Sequence, residues 1–76
     1  MTNTKMLRQK IEDSGLKISE ILKRIGIKSY YTLREKIENR KEFTASEIIK
    51  LCEILHLSNE DREAIFFAND VELYSA

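Results

Sequence analysis

The stretch Leu16-Lys17-Ile18-Ser19-Glu20-Ile21-Leu22-Lys23-Arg24-Ile25-Gly26-Ile27-Lys28-Ser29-Tyr30-Tyr31-Thr32-Leu33-Arg34-Glu35-Lys36-Ile37 decides the fold. Its apolar residues return every three or four positions, the spacing that gathers side chains on one side of an α-helix. Ile21, Leu22 and Ile25 form one such face and predict a helix over 18–25. Gly26 ends it, because glycine enters the left-handed conformation that closes a helix. After the turn Gly26-Ile27-Lys28, the Ser29 hydroxyl is placed to accept from the free amides of a new helix running to about Glu38, with Leu33 and Ile37 one turn apart. Asn39 is the predicted terminator, since Asn tolerates positive φ better than other non-glycine residues. Two short helices joined by a tight glycine turn make a helix-turn-helix unit.

Working outward, Met6, Leu7 and Ile11 predict a helix over 4–14, closed by Gly15, after which Leu16 folds back. Downstream, Thr44-Ala45-Ser46-Glu47 has the Thr-x-x-Glu form of a capping box and opens a helix with the apolar stripe Ile48, Leu51, Cys52 and Leu55. Ser58-Asn59-Glu60-Asp61 caps a last helix in a similar way, with acidic residues in the first turn, and that helix delivers Ile65, Phe66 and Phe67. The reading is an all-α bundle of five helices in a single domain, residues 1–76. Its core covers about 5–68, and the polar tail 69–76, with isolated Val71, Leu73 and Tyr74, either hangs free or docks.

A chain of 76 residues buries only roughly 60% of the surface exposed when unfolded, so its margin of stability is thin. Hydrophobic residues at 42% and the absence of a net charge exclude disorder. The longest apolar run, Ala64-Ile65-Phe66-Phe67-Ala68, falls far short of the roughly 20 residues a membrane span needs. The amino end lacks the apolar centre of a secretory signal, and the lone Cys52 cannot form an internal disulfide, so a cytoplasmic location is expected. The zero net charge conceals an asymmetry. Residues 1–41 carry 11 Lys and Arg against 5 Asp and Glu, a net +6, and residues 42–76 carry 2 against 8, a net −6. A basic half joined to an acidic half can turn one face to a polyanion. Two ordinary solvated surfaces would give the same count.

The segment Leu16 to Ile27 resembles the first helix and turn of the XRE-type helix-turn-helix family, which includes phage Cro and repressor proteins; Ile21, Ile25, Gly26 and Ile27 fall on its apolar and glycine positions. Tyr30-Tyr31-Thr32-Leu33, Lys36-Ile37 and Arg40-Lys41-Glu42-Phe43-Thr44-Ala45-Ser46-Glu47-Ile48 are similar to short Cro-like proteins from temperate phages and prophages of Gram-positive bacteria. The likeness covers about Lys5 to Ala68. It implies a five-helix bundle of the lambda-repressor-like type, a repressor's role in transcription and an operator in double-stranded DNA as partner. Three departures stand out: Leu22 where the family prefers a small Ala, a turn one residue longer, and Ile18 in place of a polar residue that often touches a phosphate.

On that reading the third helix enters the major groove, which admits a helix and displays a unique donor and acceptor code. Ser29, Tyr31, Thr32 and Arg34 are the candidate base contacts, because residues near the start of a recognition helix reach deepest. Lys17, Lys28, Lys36, Arg40 and Lys41 are the candidate phosphate contacts, which set affinity and register without reading sequence. Tyr30 is expected to pack toward the core from its spacing to Leu33 and Ile37. Arg34 with Glu38 and Glu35 with Asn39 are alternative surface pairs. Phe66 and Phe67, adjacent on one helix, cannot both face one core; they are candidate contacts of a homodimer, which would set two reading helices about 34 Å apart, unless the tail covers the second ring.

Other residues carry no chemistry on this reading. Cys52 and the single His56 fall short of a zinc ligand set, and no metal or other cofactor is expected. Cys52 is core filler, and His56 stands where the family often has glycine, a turn position. No arrangement of nucleophile, base and orienting group appears, nor a Gly-rich phosphate loop, so no enzyme is expected. The rival function is a protein-binding module, an antirepressor or an inhibitor of a host protein, suggested by Glu35 and Glu38 on the supposed reading helix and by the acidic second half.

Overall fold

The computed structural model describes residues 1–67. Five α-helices and no strand occur among them: α1 Thr4–Ser14, α2 Ile18–Ile25, α3 Tyr30–Ile37, α4 Ala45–Ile54 and α5 Asn59–Phe66. Every boundary but the start of α2 is made by a local capping hydrogen bond or a left-handed residue. Asn3 caps α1 by accepting from the Met6 amide at 3.1 Å. Ser29 caps α3 by accepting from Thr32. Thr44 and Glu47 close a reciprocal capping box at the start of α4, and Ser58 and Asp61 do the same for α5. Each such cap stabilises its helix by about 1 kcal/mol. The backbone hydrogen bond from Ser58, offset in part by desolvation, also holds the Asp61 carboxyl below its ordinary value. Gly26 at φ 82° turns the chain after α2, its N–H donating to the Leu22 carbonyl. Two non-glycine residues share that left-handed geometry, Asn39 at φ 66° and His56 at φ 53°, both at the turn positions expected of them.

The core gathers Leu7 from α1, Ile21 and Ile25 from α2, Ile27 from the turn, Leu33 and Ile37 from α3, Leu51, Ile54 and Leu55 from the α4 end, and Ile65 and Phe66 from α5. α2 packs on α3 and α4, while α1 packs on α3 and α5. Leu22 and Ile18, the two departures in α2, are partly buried against this core. Ile18 therefore serves packing. Phe66 meets Phe43 edge to face with ring centroids 5.7 Å apart. Of the two adjacent aromatics, Phe66 is the buried one and Phe67 is exposed, so the candidate dimer contact loses Phe66 to the protein's own core. The residues invoked to cover the second ring, Val71, Leu73 and Tyr74, lie outside the described residues, as does Ala68 at the expected core boundary.

The amino-terminal segment is tied across the bundle. The Asn3 amide donates to the Ile65 carbonyl, and the Asn39 side chain exchanges two hydrogen bonds with the Thr2 backbone, at 2.7 and 2.9 Å. The Thr4 hydroxyl donates to the Ile37 carbonyl, satisfying an acceptor at the end of α3. Asn39 thus both ends α3 and clamps the chain's beginning against it. No described helix is long and apolar enough to cross a membrane.

Candidate nucleic-acid interface

α2 and α3 are separated only by residues 26–29, and α3 is held from beneath by Leu33 and Ile37, both almost wholly buried. Side chains on its other side face solvent. Tyr31 is 67% exposed and the Arg34 side chain 53% exposed. Tyr30, expected against the core, is 44% exposed instead: Leu33 and Ile37 fill the space under α3, and the first residue of the helix lies at the rim. Ser29 and Thr32 are less available than Tyr31 and Arg34, since the Ser29 hydroxyl accepts the Thr32 amide and lies 3.1 Å from the Thr32 hydroxyl. The four candidate base contacts therefore divide into a capping pair and an outward pair.

The candidate phosphate contacts divide as well. Lys17 and Lys28 flank α2 and its turn, Lys41 follows α3, and all three are exposed with no ion pair among the described residues. Lys17 precedes α2 with no side-chain hydrogen bond to its first amides, unlike the residues capping the other four helices. Lys36 does not belong to the set. Its ammonium sits 2.6 and 2.7 Å from the two carboxylate oxygens of Glu47, and the two side chains are only 12% and 16% exposed. Burial raises the Glu47 carboxyl, but the hydrogen bond from Lys36, the Thr44 amide and the Lys36 charge outweigh it and hold the group below its ordinary value. That pair bolts α3 to the start of α4.

Arg40 is exposed, with Nη1 3.1 Å from Glu35 and 3.7 Å from Glu38. The hydrogen bond and charge of Glu35, with Glu38 behind, raise the guanidinium further above its already high value, so it is a cation at every practical pH. Glu35 thus pairs with Arg40 in place of Asn39, whose amide is engaged by Thr2. Arg34 and Glu38 do pair, Nε to Oε2, at 3.4 Å. Arg8 of α1 joins them, its Nη2 3.0 Å from the same oxygen of Glu38. Sequence reasoning had no way to include Arg8, which lies 30 residues from Glu38. The two carboxylates of α3 are each occupied by arginine, so the outer side of the helix is not an acidic surface.

Elsewhere, Cys52 is half-buried and burial pushes its thiol up, away from the thiolate that reacts. A shallow depression lined by Met1, Phe43, Ile48, Phe66 and Phe67 opens beside the carboxyl-terminal end of α5. Comparison of the chain with protein-family models, curated proteins and solved structures found no match.

Proposed function

We propose that the chain binds double-stranded DNA in a sequence-specific way, as a transcriptional regulator of the Cro-like helix-turn-helix kind, with α3 in the major groove. One observation carries this reading: α3 is anchored by Leu33 and Ile37 on one side, presents Tyr31 and Arg34 on the other, and follows α2 through a glycine turn. A helix seated this way has the free width that the groove accepts, and an arginine on it can grip guanine through two bonds. The exposed Lys17, Lys28, Arg40 and Lys41 are the phosphate contacts of the proposal. Lys17 beside the uncapped start of α2 adds a cation to amides that attract an anion. The resemblance to the XRE-type family agrees with this assignment, as does the basic first half of the chain.

The test is a fluorescence titration against a pool of random-sequence duplexes over a salt series, followed by selection of the tightest binders. DNA binding predicts log affinity falling linearly with log salt, with a slope of about −0.9 for each phosphate neutralised. Arg34→Ala is expected to weaken the selected duplex by about 1–3 kcal/mol and relax its specificity. Absence of binding to any duplex at low salt overturns the proposal. A second reading, a protein-binding module, is favoured by Glu35 and Glu38, which hold arginines that DNA would need. It predicts a stoichiometric protein partner and an unchanged partner affinity in the presence of duplex.

A further inference from the structure

Glu38 caps the end of α3, and three arginines approach its carboxylate, Arg40 standing 3.7 Å from Oε1 and the other two sharing Oε2. Arg8, from a different helix, donates Nη2 to Oε2 at 3.0 Å, and Arg34 approaches the same oxygen through Nε at 3.4 Å. The Arg8 contact matters because it ties Glu38 to α1, and a carboxylate held from a second helix is a steadier reference for whatever it holds. Glu38 is 25% exposed, while the arginine it holds on α3 is about twice as open.

The atom that Arg34 uses is the informative detail. A guanidinium has five N–H donors in a rigid plane. The Nε–H lies on the edge nearest the chain, and the two Nη groups form the fork that matches the O6 and N7 acceptors of guanine. Glu38 takes the Nε edge, and no hydrogen bond engages the Nη groups of Arg34 among the described residues. The carboxylate therefore restrains the side chain without occupying its reading end. An arginine free in solvent must freeze several rotamers each time it binds, whereas one already held loses less on forming the same bonds.

We infer that Glu38 is a positioning residue for sequence recognition: anchored by Arg8, it holds Arg34 by Nε so that the Nη fork is presented to a guanine. The inference rests on the DNA-binding reading of α3 and names the base that its arginine reads. It also gives a role to an acidic residue on a helix meant for a polyanion. Glu38 repels phosphates at every site, whereas the Arg34 fork it holds in place gains bonds only where a guanine is present to be read.

The experiment compares Glu38→Ala and Glu38→Gln with the unaltered chain on two probes, the duplex selected from the random pool and the random pool itself. Glu60→Gln, which removes the same charge from α5, controls for net charge, and thermal melting reports whether each variant is folded. Glu38→Ala is expected to bind the selected duplex about tenfold more weakly, the cost of one ordinary orientation-dependent contact. Binding to the random pool is expected to hold or rise, because a negative charge has gone. Glu38→Gln, which still offers an oxygen to Nε, is expected to recover part of the discrimination, and substituting the guanine in the selected site is expected to abolish the difference between variants. If Glu38→Ala strengthens both probes equally, as a mere charge effect would, the inference fails and DNA binding stands. If the unaltered chain binds neither probe at low salt, the DNA-binding reading fails and takes the inference with it.

Discussion

Lys36 and Arg34 lie two residues apart on α3, and each pairs with a glutamate, but the two pairs do different work. Lys36 is enclosed with Glu47 between α3 and α4, its ammonium shared between both carboxylate oxygens. Glu47 in turn accepts the Thr44 amide, so the pair is continuous with the cap of α4. Arg34 meets Glu38 in the open, at a longer distance and through one of its three nitrogens. The chemistry is the same, a cation beside a carboxylate. The difference is shielding and reach: an ammonium closed in against both oxygens of its partner is turned away from any other anion, while an exposed guanidinium held at one edge keeps the other for a partner.

The comparison is sharpest where both pairs lose their footing. Leu33→Ala removes the side chain that seats α3 and is expected to cost about 2–5 kcal/mol, read as a fall in the urea midpoint, with both pairs disrupted together. Next comes Lys36→Ala, which strands Glu47 in a shielded site and is expected to cost about 1–3 kcal/mol. Its salt slope on duplex DNA should match that of the unaltered chain at temperatures where both are folded. A slope lower by about 0.9 would return Lys36 to the phosphate contacts.

A smaller effect follows from acid. The folded Glu47 carboxyl lies below its ordinary value of 4.5, so its contribution is present in full above that value and is lost as pH falls through the lower folded one. Thermal melting below pH 4.5 should show this loss in the unaltered chain and much less of it in Lys36→Ala. The smallest effect belongs to the open pair: Arg34→Ala should change stability by no more than about 0.5 kcal/mol, whatever it does to DNA binding. A larger loss would mean that Arg34 is structural, like Lys36, and would erase the distinction between the two.

The helices were legible because their signals are local. Asn39 and His56 could be named as turn residues, and Thr44 and Ser58 as caps, since each acts within one turn of the backbone, where hydrogen bonds link residues three or four apart. The Arg34–Glu38 pair was legible for the same reason. Tyr30 was misjudged because periodicity gives the side of a helix and says nothing of how far the core extends along it. Phe66 and Phe67 posed the converse case: the sequence required the two rings to part company, and only the packed core, where Phe66 meets Phe43 edge to face, shows which went inside.

Sequence alone determined that this chain is an all-α bundle, where each helix starts and where the first four stop, and which residues of α3 lie opposite Leu33 and Ile37. Tertiary structure decided which charges are still free to meet a partner, by closing Lys36 on Glu47 and bringing Arg8 across to Glu38. Backbone geometry is settled within a few residues, whereas a charged side chain answers to whatever packing brings within about 4 Å of it, and that neighbour can come from anywhere in the chain.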